Sequence, residues 1–508
     1  MSGEAEVGRS GGGTSGGGRI LFPPLPYRMK ARITQALGNE QLQQFVGQAT
    51  DRKTRESDAV LTETFGDRLG PLRELAGRIK QHTLDHLDVY LERFVDAATA
   101  AGSHVHFASD AEQANAICVQ IARREGCRLC VKSKSMLTEE IRLNGALAQA
   151  GVEVVETDLG EFIIQLDGDA PSHIVTPMIH KDRRSVGRVF ERKLGAAYSE
   201  DPVELCQVAR QALRQRFRAA DLGVTGGNFL VAQTGSVVVC TNEGNGRMCS
   251  SVPRVHVAMV GMEKLVPTYR DLTVLLKLLA RSSTAQAMTV YTQVLTGPRR
   301  DGERDGPQQM HIVLVDNGRS AILRSEHREV LRCIRCGACL NRCPVYRKLG
   351  GHPYGAVYSG PIGAVLTPML RGLVNYRDLP QASSLCGACY EGCPVRIDLP
   401  GHLIWLRKQS VSQGVTGLRE RIVFRVWAWS VRWVSTYRLS SWLCRRMLRA
   451  MAAVGGNLAK GDRCSARGWI GWRVWPLSRW TAARDLPTPP ADSFRKWYAK
   501  YRKGSGDE

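Results

Sequence analysis

Hydrophobic positions along the chain change period as it proceeds. From Gln81 to Ala101, Leu84, Leu87, Tyr90, Leu91 and Phe94 recur at three- and four-residue steps, which predicts a helix with one apolar face. Short apolar runs then follow at His104–Phe107, Arg128–Val131, Val152–Glu156 and His173–Val175, and these read as strands. Helical patterns at Asp110–Arg124 and Thr138–Ala150 lie between them. Strands joined by crossover helices imply an α/β domain with a mostly parallel sheet covered on both faces. Further strands are expected at Val224–Asn228, Val237–Cys240 and Val255–Val260, and another pair around the turn Asp316-Asn-Gly318. The glycine-rich stretch Thr241–Arg247 falls at a strand end, where open α/β sheets hold small ligands.

After Arg324–Leu331 the chemistry changes. Cys333-Ile-Arg-Cys336-Gly-Ala-Cys339-Leu-Asn-Arg-Cys343-Pro344 has the spacing of a [4Fe–4S] ligand loop, and Cys386-Gly-Ala-Cys389-Tyr-Glu-Gly-Cys393-Pro394 repeats most of it. Three thiolates two residues apart can wrap a cuboidal cluster only through a tight turn, for which Gly337 and Ala338 leave room. The cysteine before each proline is carried to the other cluster. Crossed in this way, Cys333, Cys336, Cys339 and Cys393 hold the first cluster, and Cys343, Cys386 and Cys389 the second. Tetrahedral zinc would use two pairs and leave ligands over. In the second run Ser383 stands where a copy of the first would have cysteine. The fourth ligand there is open between serine, solvent, Cys444 or Cys464, and a partner's cysteine.

Composition adds a compartment and a lopsided charge. The 508 residues suffice for two or three domains, and 43% hydrophobic residues suffice for ordinary cores. The first eighteen residues read as a flexible glycine-rich leader without a secretory pattern, and no apolar run of eighteen predicts a membrane span. Fifteen cysteines, an odd number with about half of them cluster ligands, fit a reducing cytoplasm better than a disulfide scaffold. Of the net charge of +22, most lies after residue 400, where 21 Lys and Arg face 6 Asp and Glu. All ten tryptophans fall between Trp405 and Trp497. Such a tail suits an acidic partner protein or an anionic inner membrane face; no motif that reads nucleic acid appears, so none is expected as a partner. The resulting division is a leader and lead-in at 1–50, the α/β domain at 51–325, a helical ferredoxin-type domain at 326–410 and a basic, tryptophan-rich helical tail at 411–508.

Several long motifs together resemble the LUD domain of the lactate utilization protein B family. They are Lys132-Ser-Lys-Ser-Met-Leu-Thr-Glu-Glu140, Glu156-Thr-Asp-Leu-Gly-Glu161, Pro171-Ser-His-Ile-Val175, Ile179-His-Lys181 and Thr241-Asn-Glu-Gly-Asn-Gly246. Gly350-Gly-His-Pro-Tyr-Gly-Ala-Val-Tyr-Ser-Gly-Pro-Ile-Gly363, between the cysteine runs, and Trp480–Pro487 in the tail extend the likeness from about Asp51 onward. The resemblance implies a fold like ribose-5-phosphate isomerase and the CoA-transferases. It also implies an iron–sulfur subunit of a three-protein bacterial complex that oxidises L-lactate to pyruvate. Members of the family also carry serine at the position of Ser383. Gln233 departs from the pattern, since many relatives have an acid there.

Candidate substrate residues are few. Lys132, Lys134 and Arg247 flank strand ends or the glycine loop and could meet a carboxylate, although a solvated basic face explains them equally. His180 and Lys181 could serve a hydroxy-acid carbon, but a structural pair is the better reading. Glu243 is a nucleophile only by analogy with CoA-transferases. Cys127 and Cys130, a lone C-x2-C in a strand, read as buried residues. No G-x-G-x-x-G fingerprint precedes a helix, so a hydride acceptor would sit on another chain and this protein would be one subunit of an oxidoreductase. The rival readings are an electron carrier for another 2-hydroxy acid, or a self-contained transferase or isomerase with structural clusters. Turnover of a CoA ester or sugar phosphate by cluster-free protein would favour the last.

Overall fold

In the computed structural model, which describes residues 23–455, 469–470 and 486–504, the chain to Gln413 forms one compact unit and Gly414 onward a second. The first unit is built on ten strands: β1 His104–Ala108, β2 Leu129–Lys132, β3 Glu153–Glu156, β4 Leu222–Thr225, β5 Phe229–Val231, β6 Ser236–Thr241, β7 Val255–Gly261, β8 Leu265–Val266, β9 Tyr291–Leu295 and β10 Gln309–Val315. Six of them make a parallel sheet in the order β1-β10-β7-β4-β2-β3. β7 is buried along its whole length and β10 nearly so, as strands rich in Val, Ile, Leu and Met require when helices cover both faces, and each carries one buried histidine, His256 and His311. A second sheet, β8-β5-β6-β9, is mostly antiparallel.

The mixed α/β expectation holds, with five local differences, one of which is that the strand expected at Val224–Asn228 ends at Thr225 and Gly226–Asn228 form a loop before β5, as two glycines favour. The helix expected over Gln81–Ala101 is two helices, Leu69–Asp85 and Leu87–Ala100, because His86 leaves helical geometry at φ −124° and ψ 38°. Thr138–Ala150 likewise divides into Met136–Glu140 and Leu143–Gln149 about Arg142, whose φ is 60°. His173–Val175 is no strand. Its imidazole Nδ1 accepts from the backbone N–H groups of Val175 and Thr176, and this local capture overrides the strand propensity of Ile and Val. After Asp316-Asn-Gly318 the chain enters the helix Arg319–Leu323 instead of a strand, since the Asp316 carboxylate accepts from both the N–H and the hydroxyl of Ser320.

Residues 23–50, assigned to the lead-in by pattern, are built into the core. Tyr27 and Met29 are buried, and Tyr27 donates to the carbonyl of Pro353. One apolar core runs from Tyr27 through the helix Tyr269–Thr284 to Leu406, so the α/β and cysteine-bearing segments share packing. The helix Glu40–Phe65 meets the short cysteine helices Ala338–Arg342 and Pro344–Leu349. The helix Leu69–Asp85 meets the second cysteine run, where Gly77 passes so near Val395 that a Cβ would lie 2.9 Å from its carbonyl oxygen. Beyond Cys333 the unit is helical, with Gly360–Arg371 and Leu399–Ser412 closing it.

Among the described residues the second unit comprises the helices Leu418–Arg432, Val434–Gly455 and Phe494–Gly504 and a two-residue strand pair, Trp469–Ile470 on Leu486–Pro487. Phe494, Trp497, Tyr498 and Tyr501 form an exposed aromatic ladder with successive ring centroids 5.5 to 5.8 Å apart. Among the described residues no helix is long and apolar enough to cross a membrane. Trp472, Trp475 and Trp480 lie outside the described residues, as does Cys464.

Candidate functional site

The two cysteine runs repeat a backbone as well as a spacing. Arg335 and Gly337 have φ of 59° and 78°, and Leu385 and Gly387 at the equivalent places have 54° and 84°. Each loop thus turns left-handed immediately before and after its cysteine, Cys336 or Cys386. A side chain at Gly337 would be strained by that φ and would also press on His173 and Val175 at 3.3 Å. Ser383 occupies the place matching Cys333 and accepts from the N–H of Leu385.

The seven cysteines of the two runs lie near one another in overlapping groups. Cys393 lies within electrostatic range of Cys333 and Cys336, and Cys339 of those same two. Cys343 and Cys389 neighbour Cys386, and Cys339 also reaches toward Cys389. Both proline-linked cysteines accept backbone N–H groups at sulfur, Cys343 from Tyr346 and Cys393 from Ile397, each at 3.4 Å. Burial pushes the thiols of Cys336 and Cys389 up to about 12, so as bare thiols they would be neutral. Tyr354 is fully buried, lies within electrostatic range of Cys343 and Cys339, and its hydroxyl has no hydrogen-bond partner. Mostly buried sulfur donors with an orphaned hydroxyl near Cys343 and Cys339 are what sulfide-bearing clusters would satisfy.

A cavity of about 390 Å³ opens at the carboxyl ends of the parallel strands. Ser133 to Leu137 line it after β2, Asp158 after β3, Gly226 to Asn228 after β4, and Glu263 and Lys264 after β7. Gly226 has no room for a side chain, because a Cβ would lie 2.7 Å from the Ser135 hydroxyl. The glycine-rich loop contributes Thr241 to Glu243, Asn245 and Gly246. The iron–sulfur segment contributes Arg335, Cys336 and Tyr358 to the wall.

Buried charges join the two segments around that wall. Arg319 binds Glu140 through both of its terminal nitrogens, at 2.9 and 3.0 Å, and Glu263 through Nε at 2.7 Å. Tyr358 donates to Glu140, and Arg335 lies over the Tyr358 ring and 3.5 Å from Glu263. Burial alone would raise Glu263, but Arg319, Lys264 and Arg335 outweigh it and bring the carboxyl down to about 2. Burial, with Arg335 adding to it, lowers Lys264 to about 8. On the opposite side Glu243 accepts from the N–H of Leu159, and burial together with Asp158 raises it to about 7.

The substrate candidates scatter. Lys134 and Glu243 line the cavity, although Lys134 is engaged by the carbonyl of Ile174 and by Glu161 at 3.8 Å. Lys132 is not among the lining residues: it is fully buried and ion-paired to Glu156 at 2.8 Å. Arg247 projects from the helix Asn245–Ser251 as an exposed side chain. His180 and Lys181 gather on Asp169, with Lys181 also on Asp167, and the His180 ring stands edge-on to His352 at 4.6 Å. That group ties the cysteine segment to the α/β domain, since His352 bonds the carbonyl of Ala170. Cys127 and Cys130 are buried. Gln233 sits in the turn after β5 and accepts from the N–H of Tyr269. Pattern reading missed Lys264, Arg335, Arg319 and Tyr358. Two of them lay in plain view, Arg335 inside the first cysteine run and Tyr358 in the glycine-rich motif between the runs.

Three family models match in order: the LUD domain over residues 91–315, the 4Fe-4S dicluster domain over 329–397, and the lactate utilisation protein B C-terminal region over 411–503. Lactate utilization protein B of Bacillus cereus (strain AH820) is 46% identical over 86% of this chain and 89% of its own, and that of Bacillus thuringiensis (strain Al Hakam) is equally similar. The uncharacterized electron transport protein YkgF of Escherichia coli (strain K12) is 42% identical over 93% of this chain and 96% of its own. A solved DUF162 family structure from Deinococcus radiodurans matches 45% of this chain and 98% of its own at 16% identity and a TM-score of 0.26, too distant to bear on the fold. With the dicluster model matched across all seven cysteines, the segment is a two-[4Fe–4S] domain.

Proposed function

Because this chain belongs to the lactate utilization protein B family, we propose that it is the iron–sulfur electron-transfer subunit of a complex that oxidises L-lactate to pyruvate. The observation that carries this reading is Cys336, a cysteine of the first run that is also a wall of the cavity at the strand ends. A molecule or partner group held in that cavity lies beside the first cluster loop. When bound, the clusters supply single-electron uptake and release. The chain's own contribution is to hold them: Cys333, Cys336, Cys339 and Cys393 for the first, and Cys343, Cys386 and Cys389 for the second, with Ser383 at the remaining corner of the repeat.

The supporting frame has several parts. The LUD domain is read as an α/β fold of the ribose-5-phosphate isomerase and CoA-transferase kind, over 51–325. The ferredoxin-type domain follows over 326–410 and the tail over 411–508. The chain carries no recognisable dinucleotide fingerprint, so the hydride acceptor is assigned to a companion subunit. The basic, aromatic tail docks on an acidic companion or on the anionic inner face of the membrane, which places the complex in the cytoplasm. Anaerobic purification with the companion subunits tests the reading. Loaded protein should hold about eight irons and eight sulfides per chain by the arithmetic of two clusters. Reduction by L-lactate should require the companions, and full-rate lactate oxidation by this chain alone would refute the assignment.

A further inference from the structure

We propose that the cavity is a carboxylate site, which takes a small 2-hydroxy or 2-oxo acid with its carboxylate on Arg335 and Lys264, against the wall formed by Cys336. The proposal rests on the electron-transfer reading and adds to it the place and the residues that hold the acid on this chain. It also moves the anion-binding role away from Lys132 and Arg247, which face elsewhere.

The argument is one of unpaired charge. Four cations, Arg319, Arg335, Lys264 and Lys80, meet two carboxylates, Glu140 and Glu263, at this wall, with Cys333 of the first run also facing Arg335 and Lys264. Arg319 is saturated, with its fork on Glu140 and its Nε on Glu263. Glu263 gives Arg319 its Oε2, and Arg335 approaches the other oxygen, Oε1, only to 3.5 Å, longer than a charge-assisted hydrogen bond. Arg335 is about nine-tenths buried, and its Nη1 has no hydrogen-bond partner. The Lys264 ammonium feels the charges of Glu263 and Cys333, but among the described residues it makes no direct side-chain hydrogen bond or ion pair. Both residues line the cavity. A buried guanidinium nitrogen without a partner is costly, and a planar carboxylate in front of it supplies the two acceptors its geometry suits.

The rest of the cavity fits the substituent of such an acid. Asn228, Ser135 and Glu243 line it with polar side chains able to meet a hydroxyl or keto oxygen, while Leu279 and Ala280 offer an apolar surface for a methyl group. The rival explanation is that Arg335 and Lys264 serve only to neutralise the first cluster loop. It differs in outcome, because an anion beside Cys336 also makes an added electron less favourable there. By linkage, an acid that binds the oxidised protein tenfold more tightly than the reduced protein lowers a one-electron potential by about 59 mV.

The test uses the full chain, loaded anaerobically with both clusters. Binding of L-lactate and pyruvate is measured by calorimetry, with acetate and inorganic phosphate as comparison anions, and each cluster potential is measured with and without saturating pyruvate. The expected result is one saturable site, at least tenfold weaker in Lys264→Gln, with pyruvate lowering the potential of one cluster only. If Lys264→Gln loses a cluster, Ala280→Leu fills the cavity from the helix Tyr269–Thr284, and loss of binding with both clusters retained is then expected. Absence of saturable binding, or binding that neither substitution weakens, overturns the carboxylate site. That result leaves electron transfer standing, whereas a loaded protein that accepts no electrons from its companions sinks the reading beneath it.

Discussion

Replacing Arg319 with methionine removes the cation that joins the α/β domain to the wall of the first cysteine loop. The guanidinium makes three charge-assisted bonds, two to Glu140 and one to Glu263, and all three side chains are buried. Its loss leaves Glu140 with Tyr358 and Asn317 as donors, and Glu263 with the longer approach of Arg335 and the charge of Lys264. Breaking a buried ion pair by removing one partner costs about 3–5 kcal/mol, and methionine restores the volume, so that is the expected loss. Arg319→Lys should recover only part of it, because an ammonium cannot span both oxygens of Glu140. Urea unfolding under anaerobic conditions, followed through both backbone signal and cluster absorbance, measures the change. In a double-mutant cycle with Glu140→Gln, the second substitution should cost much less once Arg319 is gone. A loss below about 1 kcal/mol, or additive effects in the cycle, would refute the view that this network is a single buried unit.

Three further outcomes follow from the same geometry. Glu243 titrates at about 7 in the folded chain, above its unfolded value, so the folded state holds the proton more tightly and stability falls as pH rises from about 4.3 to 7. Glu243→Gln should abolish that fall, gaining up to about 3–4 kcal/mol on wild type at pH 8 and little near pH 4, and parallel urea midpoints at the two pH values would expose the error if the gain is equal at both. Cys336→Ser should lose the first cluster and Cys389→Ser the second, each halving the iron content, which iron and sulfide assays with electron paramagnetic resonance would show. Truncation after Gly414 should leave both clusters intact while abolishing association with companions or with anionic vesicles; loss of clusters with association preserved would make the tail a cover instead.

What could be read from the chain beforehand was whatever depends on neighbours in sequence. Strand runs such as Val255–Val260 and the cysteine spacings are local signals, and Cys343 and Cys393 each carry their proline with them. The breaks at His86 and Arg142 were not legible, because helical propensity continues across both and only packing decides where the axis turns. Nor was the strand-like His173–Val175, where a side chain captures the backbone locally. The charged wall of the cavity was hidden for another reason. Arg319 and Glu140 are 179 residues apart, and their pairing exists only after β10 and the helix Met136–Glu140 reach the same end of the sheet. Lys132 gave a usable warning: a lysine closing the apolar run Leu-Cys-Val implies a buried partner, and Glu156 supplies it from the neighbouring strand β3.

The central claim is that electrons from the oxidised acid pass through this chain. Rapid mixing of the loaded protein and its companion subunits with L-lactate, under anaerobic conditions and without acceptor, tests it most directly. The account predicts that both clusters become reduced at a rate no slower than pyruvate forms, and that reduction fails when Cys336→Ser protein is used. Pyruvate production at full rate with the clusters remaining oxidised would contradict it.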